Sequence, residues 1–267
     1  MRLTLIQAET DRTLPFEQRI AVACEQIAAC HGADLVVLPE LWATGYFHFD
    51  DYAATAQPRS GEAARALAAA ARAAGVHLHA GSLVERDEQG RLYNTSLLYG
   101  PDGELLHAYR KIHLFGYDSR ESALLTAGQG AAVVPTPFGR IGLAACYDLR
   151  FPELFRAQTE QGAELLLLSA AWPLARIEHW QLLLRARAIE NQAMVVAVNA
   201  GGRQGEVELG GHSMVVDASG QVLLQTGSDP EIRSVDLDLT STAQARRTFP
   251  ALADRRPPSA LEAVPEI

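Results

Sequence analysis

A four-layer α-β-β-α sandwich of two mixed sheets, with an internal pseudo-two-fold repeat, is the fold this sequence predicts. Three observations carry it. A β-α-β-α pattern followed by antiparallel strands occurs twice. The halves echo each other in letters, HGADLVVLPELW in the first and QGAELLLLSAAWP in the second. Within each echo an all-apolar run, Leu35–Leu38 and Leu165–Leu168, marks a strand covered on both faces.

Arg2–Ala8 alternates like a strand. From Phe16 to His31, Ile20, Ala23, Cys24, Ile27 and Ala28 fall at helical spacing, and Gly32 ends the helix. After Leu35–Leu38 comes Pro39-Glu40. Ser60 is then placed to cap an Ala-rich helix over Glu62–Ala74, with Gly75 beyond its end. Strands are expected at Val76–Val84, Leu92–Leu98 and Glu104–Ile112, separated by turns containing Asp87/Gly90 and Pro101-Asp102-Gly103. The pattern restarts with a strand at Ile141–Ala145, a helix over Pro152–Gly162, the strand Leu165–Leu168 and a helix over Ala175–Asn191. Strands at Met194–Asn199, His212–Asp217, Val222–Gln225 and Ser234–Leu239 complete it. Residues 1–240 thus form one domain. Residues 241–267, rich in Pro and Arg and without periodicity, are expected to be an arm packing on the domain or on a partner subunit.

A net charge of −9 over 267 residues argues against a nucleic-acid partner and against docking on an anionic membrane. No apolar run approaches a membrane span, and MRLTLIQAETD begins as a strand, not as a signal peptide. Three scattered cysteines, Cys24, Cys30 and Cys146, make neither a disulfide framework nor a zinc knuckle. A cytoplasmic protein with reduced thiols is expected. His77 and His79 share a strand face, but the sequence offers no third metal ligand beside them.

Cys146 stands where a buried strand meets a helix N-terminus. Free N–H groups and the helix dipole there favour a thiolate. Glu40 follows the first apolar run, at the carboxyl end of a strand, where open α/β sheets bind ligands. Lys111 ends the strand HAYRKIH, and Glu121 lies in the loop FGYDSRESALLTAG. Taken singly, each has an ordinary reading as a core thiol, a solvated strand end or a surface charge. Together they supply the parts of one mechanism.

LPELWATGY around Glu40, YRKIHLF around Lys111 and CYDLRFPE around Cys146 resemble, in order and spacing, the three motif blocks of the nitrilase (carbon–nitrogen hydrolase) superfamily. The resemblance extends through RARAIENQAMVVAVN and GHSMVVDASG, so it covers nearly the whole chain. It implies the sandwich fold, homodimers or larger homo-oligomers, and amide hydrolysis through a thioester without metal or cofactor. By the same resemblance Cys146 is the nucleophile and Glu40 the general base. Lys111 and the backbone N–H of Tyr147 form the oxyanion hole, and Glu121, with Asp118 as a near neighbour in the same loop, is the second glutamate.

Trp42, Tyr46, Trp172 and His179 are candidates for the pocket wall. Arg150 is a candidate for reading a substrate carboxylate and His113 for orienting the site; Glu153 either stiffens the turn behind Cys146 or simply opens a helix. Chain length, CYDLRFPE, AAWP and GHSMVVD look most like the small ω-amidases and aliphatic amidases, so the expected substrate is a small-molecule amide. Carbamoyl-amino-acid hydrolases and nitrilases are the alternatives within the family. From other classes come a non-catalytic binding subunit and a redox thiol, the latter needing Cys24 or Cys30 near Cys146.

Overall fold

The computed structural model describes residues 1–131 and 133–256. Its strands are β1 (Arg2–Gln7), β2 (Leu35–Val37), β3 (His77–Arg86), β4 (Leu92–Tyr99), β5 (Leu105–Arg110), β6 (Val133–Thr136), β7 (Gly139–Ala145), β8 (Leu165–Ala170) and β9 (Met194–Asn199). They continue as β10 (Arg203–Gln204), β11 (Val207–Glu208), β12 (Met214–Val216), β13 (Val222–Gln225) and β14 (Glu231–Asp236). The helices are α1 (Phe16–Ala29), α2 (Tyr52–Thr55), α3 (Glu62–Ala74), α4 (Glu121–Leu124), α5 (Pro152–Glu160), α6 (Ile177–Asn191) and α7 (Thr240–Thr248).

Two six-stranded sheets run β14-β1-β2-β3-β4-β5 and β6-β7-β8-β9-β12-β13, while β10 and β11 form a separate hairpin. Each large sheet has the same plan. Three parallel strands, β1-β2-β3 or β7-β8-β9, are flanked by one antiparallel strand on one side and two on the other. The flanking strand β6 directly precedes its sheet, whereas β14 returns from the end of the chain to pair with β1.

Alternation along the strands divides the core. Leu3, Leu5, Leu35 and Val37 meet Leu143, Leu165, Leu167 and Val196 between the sheets. Ile6, Val36, Leu38 and Leu78 turn outward to Ile20, Ile27, Leu67 and Ala71 of α1 and α3. On the far side Phe155, Trp180 and Leu184 of α5 and α6 close the fourth layer. Each such fully buried aliphatic side chain contributes about 1.5–3 kcal/mol relative to exposure, which is why both strand faces are apolar.

Some expected elements differ. Helix α3 is capped by Gln57, whose Oε1 accepts from the Ala63 N–H at 3.0 Å, and not by Ser60. Its N-cap is Gly61, where a Cβ would lie 2.6 Å from that same oxygen. Edge strand β6 contains Pro135 and is half exposed, so it lacks the apolar signature of the inner strands. Strand β14 begins three residues before the expected Ser234, at Glu231, because it is an exposed edge with no buried run.

The segment after Leu239, though without apolar periodicity, is helical: α7 occupies Thr240–Thr248. Polar anchors hold it. Arg246 Nη2 donates to the Ala163 carbonyl at 2.7 Å, Arg246 Nε to the Gln192 carbonyl at 2.9 Å, and Gln192 Nε2 to the Phe249 carbonyl at 2.6 Å. Residues 257–267 of the expected arm lie outside the described residues.

One glycine shapes the site directly. Gly81 has φ +64°, and a Cβ there would sit 1.8 Å from the Pro39 carbonyl oxygen. The ladder between β3 and β4 shifts register across this point, between His79 and Ser82. Backbone without a side chain is what lets Pro39-Glu40 cross over β3.

Candidate active site

Glu40 follows β2, Cys146 follows β7, and Ala171–Trp172 follow β8, so the carboxyl ends of parallel strands from both sheets face one another. Lys111 lies one residue past β5, its N–H tied to the Asn94 carbonyl at 2.9 Å. Cys146 has φ +43° and Leu41, next to Glu40, φ +44°. Both stand in the left-handed region where a side chain costs energy, so each strand ends in a forced turn.

Lys111 is 1 % exposed, Glu40 and Glu121 not at all. The Lys111 Nζ donates to Glu40 Oε1 at 2.9 Å and to Glu121 Oε1 and Oε2 at 2.9 and 3.0 Å. Glu121 Oε2 also accepts from Tyr46 Oη at 3.0 Å and from the Phe115 N–H at 2.7 Å. Asn94 Nδ2 bridges the carboxylates, 2.7 Å from Glu40 Oε1 and 3.2 Å from Glu121 Oε1. Glu40 Oε2 accepts from the Ala171 N–H at 3.1 Å and faces the Cys146 thiol. A buried carboxylate with every lone pair engaged, like Glu121, holds its partner in place. Glu40 keeps room for a proton.

Charges shift accordingly. Burial pushes the Glu40 carboxyl up; Lys111 pulls it back, and Glu121 pushes it up further. Burial alone would lower the Lys111 ammonium, but Glu121 and Glu40 outweigh it and raise the pKa well above the usual range. The Cys146 thiol is driven well up, first by burial and then by the negative charge of Glu40, against a smaller opposing effect of Lys111. The pull of the helix terminus towards a thiolate is thus outweighed. In a closed site the missing solvation dominates, and the thiol needs a base to ionise.

Cys146 opens into a narrow cleft lined by Tyr46, Phe47, Phe115, Tyr147, Arg150, Ala171, Trp172, Pro173 and Arg176. The Arg150 guanidinium lies 4.7 Å from the Trp172 ring centre, with Nη2 3.4 Å from His179 Nδ1, and that of Arg176 lies 5.7 Å from the Phe115 ring centre. Asn199 fixes the Trp172 backbone: its Oδ1 accepts from the Trp172 N–H at 2.6 Å and its Nδ2 donates to the Trp172 carbonyl at 3.1 Å.

The structure therefore brings together Glu40, Lys111, Glu121 and Cys146, with Tyr46, Tyr147, Trp172 and Arg150 around them. His113 stands behind the site. It does not line the cleft; its Nδ1 pairs with Asp148 at 2.7 Å because that buried carboxylate needs donors. Trp42 is a core residue whose Nε1 donates to the Ala80 carbonyl at 2.9 Å. Asp118 and Glu153 are exposed.

His77 packs edge-on against Phe138. Fully buried His79 has no polar partner among the described residues on either ring nitrogen, and burial lowers its pKa to about 4, so it stays neutral. Among the described residues no group of three potential ligands could hold a metal ion. Cys24 and Cys30 pack against the helix-side core of the first sheet, while Cys146 belongs to the inter-sheet core.

Asn94 and Asp148 were not singled out from the sequence. Asn94 is a polar residue in an ordinary strand, 54 and 27 residues from the carboxylates it meets; Asp148 lies within CYDLRFPE, and apart from the Ala145 N–H its partners lie 35 and 39 residues away. The one local sign was an Asn in the middle of a strand, LYNTSLLY, whose neighbours are β formers.

A glutamate, a lysine and a cysteine at strand ends of an α-β-β-α sandwich, with a second glutamate from α4 on the lysine, define a class of hydrolases acting on carbon–nitrogen bonds. Residues 2–247 match the carbon-nitrogen hydrolase family, and the chain belongs to it. It is 41% identical over 258 residues to a 2-oxoglutaramate amidase of Paenarthrobacter nicotinovorans, covering 94% of this chain and 88% of that one. To omega-amidase NIT2 of Mus musculus it is 37% identical over 265 residues, covering 96% and 95%. A solved structure of a Glu-to-Gln mutant of the amidase from Nesterenkonia sp. AN1 superposes with a TM-score of 0.82 at 30% identity, covering 95% and 96%. In it the acetamide moiety of fluoroacetamide is covalently added at the active-site cysteine. No helix among the described residues is long and apolar enough to cross a membrane.

Proposed function

We propose that this chain is an omega-amidase-like enzyme that hydrolyses a small aliphatic carboxamide, carrying a carboxylate at its far end, through a thioester on Cys146. The observation that carries this is the fully buried Lys111 ammonium, clasped by two carboxylates beside a protonated thiol. Cys146 Sγ attacks the amide carbon as Glu40 takes the thiol proton. The oxygen, now negative, is received by the Lys111 ammonium and the Tyr147 N–H; losing one such donor costs roughly 2.7–4 kcal/mol of transition-state stabilisation. Collapse expels ammonia with the proton from Glu40 and leaves the thioester. Water, deprotonated by Glu40, then attacks the thioester, and collapse returns the carboxylic acid and the thiol. Glu121 touches neither substrate atom in this scheme; it holds Lys111.

The guanidiniums of Arg150 and Arg176 line an otherwise aromatic cleft and rest on Trp172 and Phe115, with no carboxylate of the described residues paired to either. They suit an anionic substrate end, in keeping with the 2-oxoglutaramate and omega-amidase names of the relatives. We further propose a cytoplasmic homodimer or larger homo-oligomer. Acidic composition and three free cysteines support the compartment. Exposed Leu182 and Ile189 on α6 support assembly through that layer, with residues 241–267 as its arm.

Ammonia release from 2-oxoglutaramate, succinamate, 5-aminopentanamide, an N-carbamoyl amino acid and a simple nitrile tests the substrate. The anionic amides should lead and the cationic 5-aminopentanamide should trail. A nitrile or carbamoyl compound turned over much faster than every amide would overturn the proposal.

A further inference from the structure

We infer that Asp148 is a positioning residue that locks the Cys146 turn onto the segment carrying Lys111. This rests on the reading of Cys146 as the nucleophile. The carboxylate of Asp148 is fully buried and takes hydrogen bonds from both sides of the site. Its Oδ2 accepts from the Ala145 N–H at 2.9 Å and from Tyr109 Oη at 2.7 Å. Its Oδ1 accepts from the His113 N–H at 3.0 Å and from His113 Nδ1 at 2.7 Å. Ala145 directly precedes Cys146, and Tyr109 and His113 lie two residues before and after Lys111. One carboxylate thus ties the backbone of the thiol to both flanks of the ammonium.

The turn needs such a tie. Cys146 sits at φ +43°, a conformation that its own side chain does nothing to favour and that persists only where surroundings over-determine it. Other contacts complete the clamp. His113 stacks on Phe151, ring centres 3.9 Å apart and planes 9° apart, at the end of the same turn. From the opposite side Arg187 Nε and Nη2 donate to the Leu149 carbonyl at 3.1 and 2.8 Å. Because an ionised carboxylate only accepts, the His113 Nδ1 carries the proton in this pair. The oxyanion donor on Tyr147 belongs to the turn so held, so its aim relative to Lys111 depends on Asp148.

Asp148→Asn places an NH2 group against donors on one side of the hub. The rate of Cys146 alkylation by iodoacetamide, read by mass spectrometry on folded protein, should fall about tenfold or more. With an amide substrate kcat per titratable thiol should fall about 100-fold, as displacement of a reacting group implies, while KM stays within about threefold. Tyr109→Phe and His113→Gln each remove one side-chain contact and should show the same split at smaller size. If Asp148→Asn does not fold, those two variants decide. Wild-type alkylation and kcat in the folded variants would overturn the inference, as would a rise in KM with kcat intact, which would make these residues substrate readers. Alkylation needs no amide turnover. A wild-type enzyme alkylated at Cys146 yet releasing no ammonia would therefore count against the proposed function and leave this inference to the alkylation rates.

Discussion

In the first half of the chain, HGADLVVLPELW runs through β2 and ends with Glu40 and Trp42; in the second, QGAELLLLSAAWP runs through β8 and brings Ala170 and Trp172 to the same positions. These equivalent ends touch. The Glu40 N–H donates to the Ala170 carbonyl at 3.3 Å, and the Ala171 N–H returns a bond to Glu40 Oε2 at 3.1 Å. The strand registers extend the correspondence: Leu3 pairs with Leu35 and Ile141 with Leu165, so Ala8 stands in the first sheet where Cys146 stands in the second. One tryptophan is core and the other is wall. The scaffold is symmetric, and the chemistry lies in how single residues depart from that symmetry. The first half delivers the carboxylates and lysine and the second the thiol and much of the cleft, so neither half holds a site alone.

The comparison breaks most sharply at the thiol. Cys146→Ala should abolish ammonia release while leaving the fold intact, and residual turnover in that variant would end the nucleophile assignment. Next comes Lys111→Met. It should lower kcat by at least about two orders of magnitude through the lost oxyanion donor. It should also destabilise the protein by about 3–5 kcal/mol, because two carboxylates are left buried without their cation. Denaturant titration beside the kinetic assay would show both losses, and a change in only one would separate the two roles.

A smaller effect appears at alkaline pH. The native thiol keeps its proton, whereas an unfolded one ionises from about pH 8.5 upward. Above that pH the unfolded state binds fewer protons than the native one, so stability falls as pH rises, by at most about 1.4 kcal/mol per pH unit from this group. Lys111, raised in the native state, adds stability that is complete below about pH 10.4 and lost beyond it. Urea midpoints between pH 8 and 10 should decline less steeply in Cys146→Ala than in wild type; parallel curves would refute the linkage.

The two tryptophans give the finest distinction. Trp42→Phe leaves the Ala80 carbonyl unpaired and should cost about 1–3 kcal/mol of stability with KM unchanged. Trp172→Phe, which removes the bond from Nε1 to the Arg176 carbonyl, should cost a similar stability but in addition raise KM about 2- to 10-fold, the worth of an aromatic contact. A raised KM in Trp42→Phe and not in Trp172→Phe would mean that wall and core had been assigned the wrong way round.

The inner strands were legible because covering a strand on both faces demands an unbroken apolar run, and the repeat shows that run twice. Strand β6 and helix α7 escaped for the opposite reason. The first is an edge containing Pro135, and the second turns Thr242 and Arg246 inward, so neither carries an apolar period. In the site, Glu40, Lys111 and Cys146 sit at strand ends that a coarse pattern can locate. Asp148 and Asn94 matter through bonds to segments distant in sequence, and nothing in their immediate neighbours encodes those bonds. His113 stands two residues after Lys111, a spacing that names its face and its candidacy for orienting the site, but not the partner waiting there, Asp148.

The clasp around Lys111 has a consequence for how the interior handles ionisation. In the proposed scheme Lys111 lies between Glu40 and Glu121, 2.9 Å from each, and burial keeps the proton on the Cys146 thiol. Proton transfer from Cys146 to Glu40 then leaves the net charge unchanged, and so does the passage of negative charge from sulfur to oxyanion. A buried, poorly solvated cluster therefore never has to admit or expel an ion during the bond-making step. A single negative charge merely changes address among atoms already arranged to receive it.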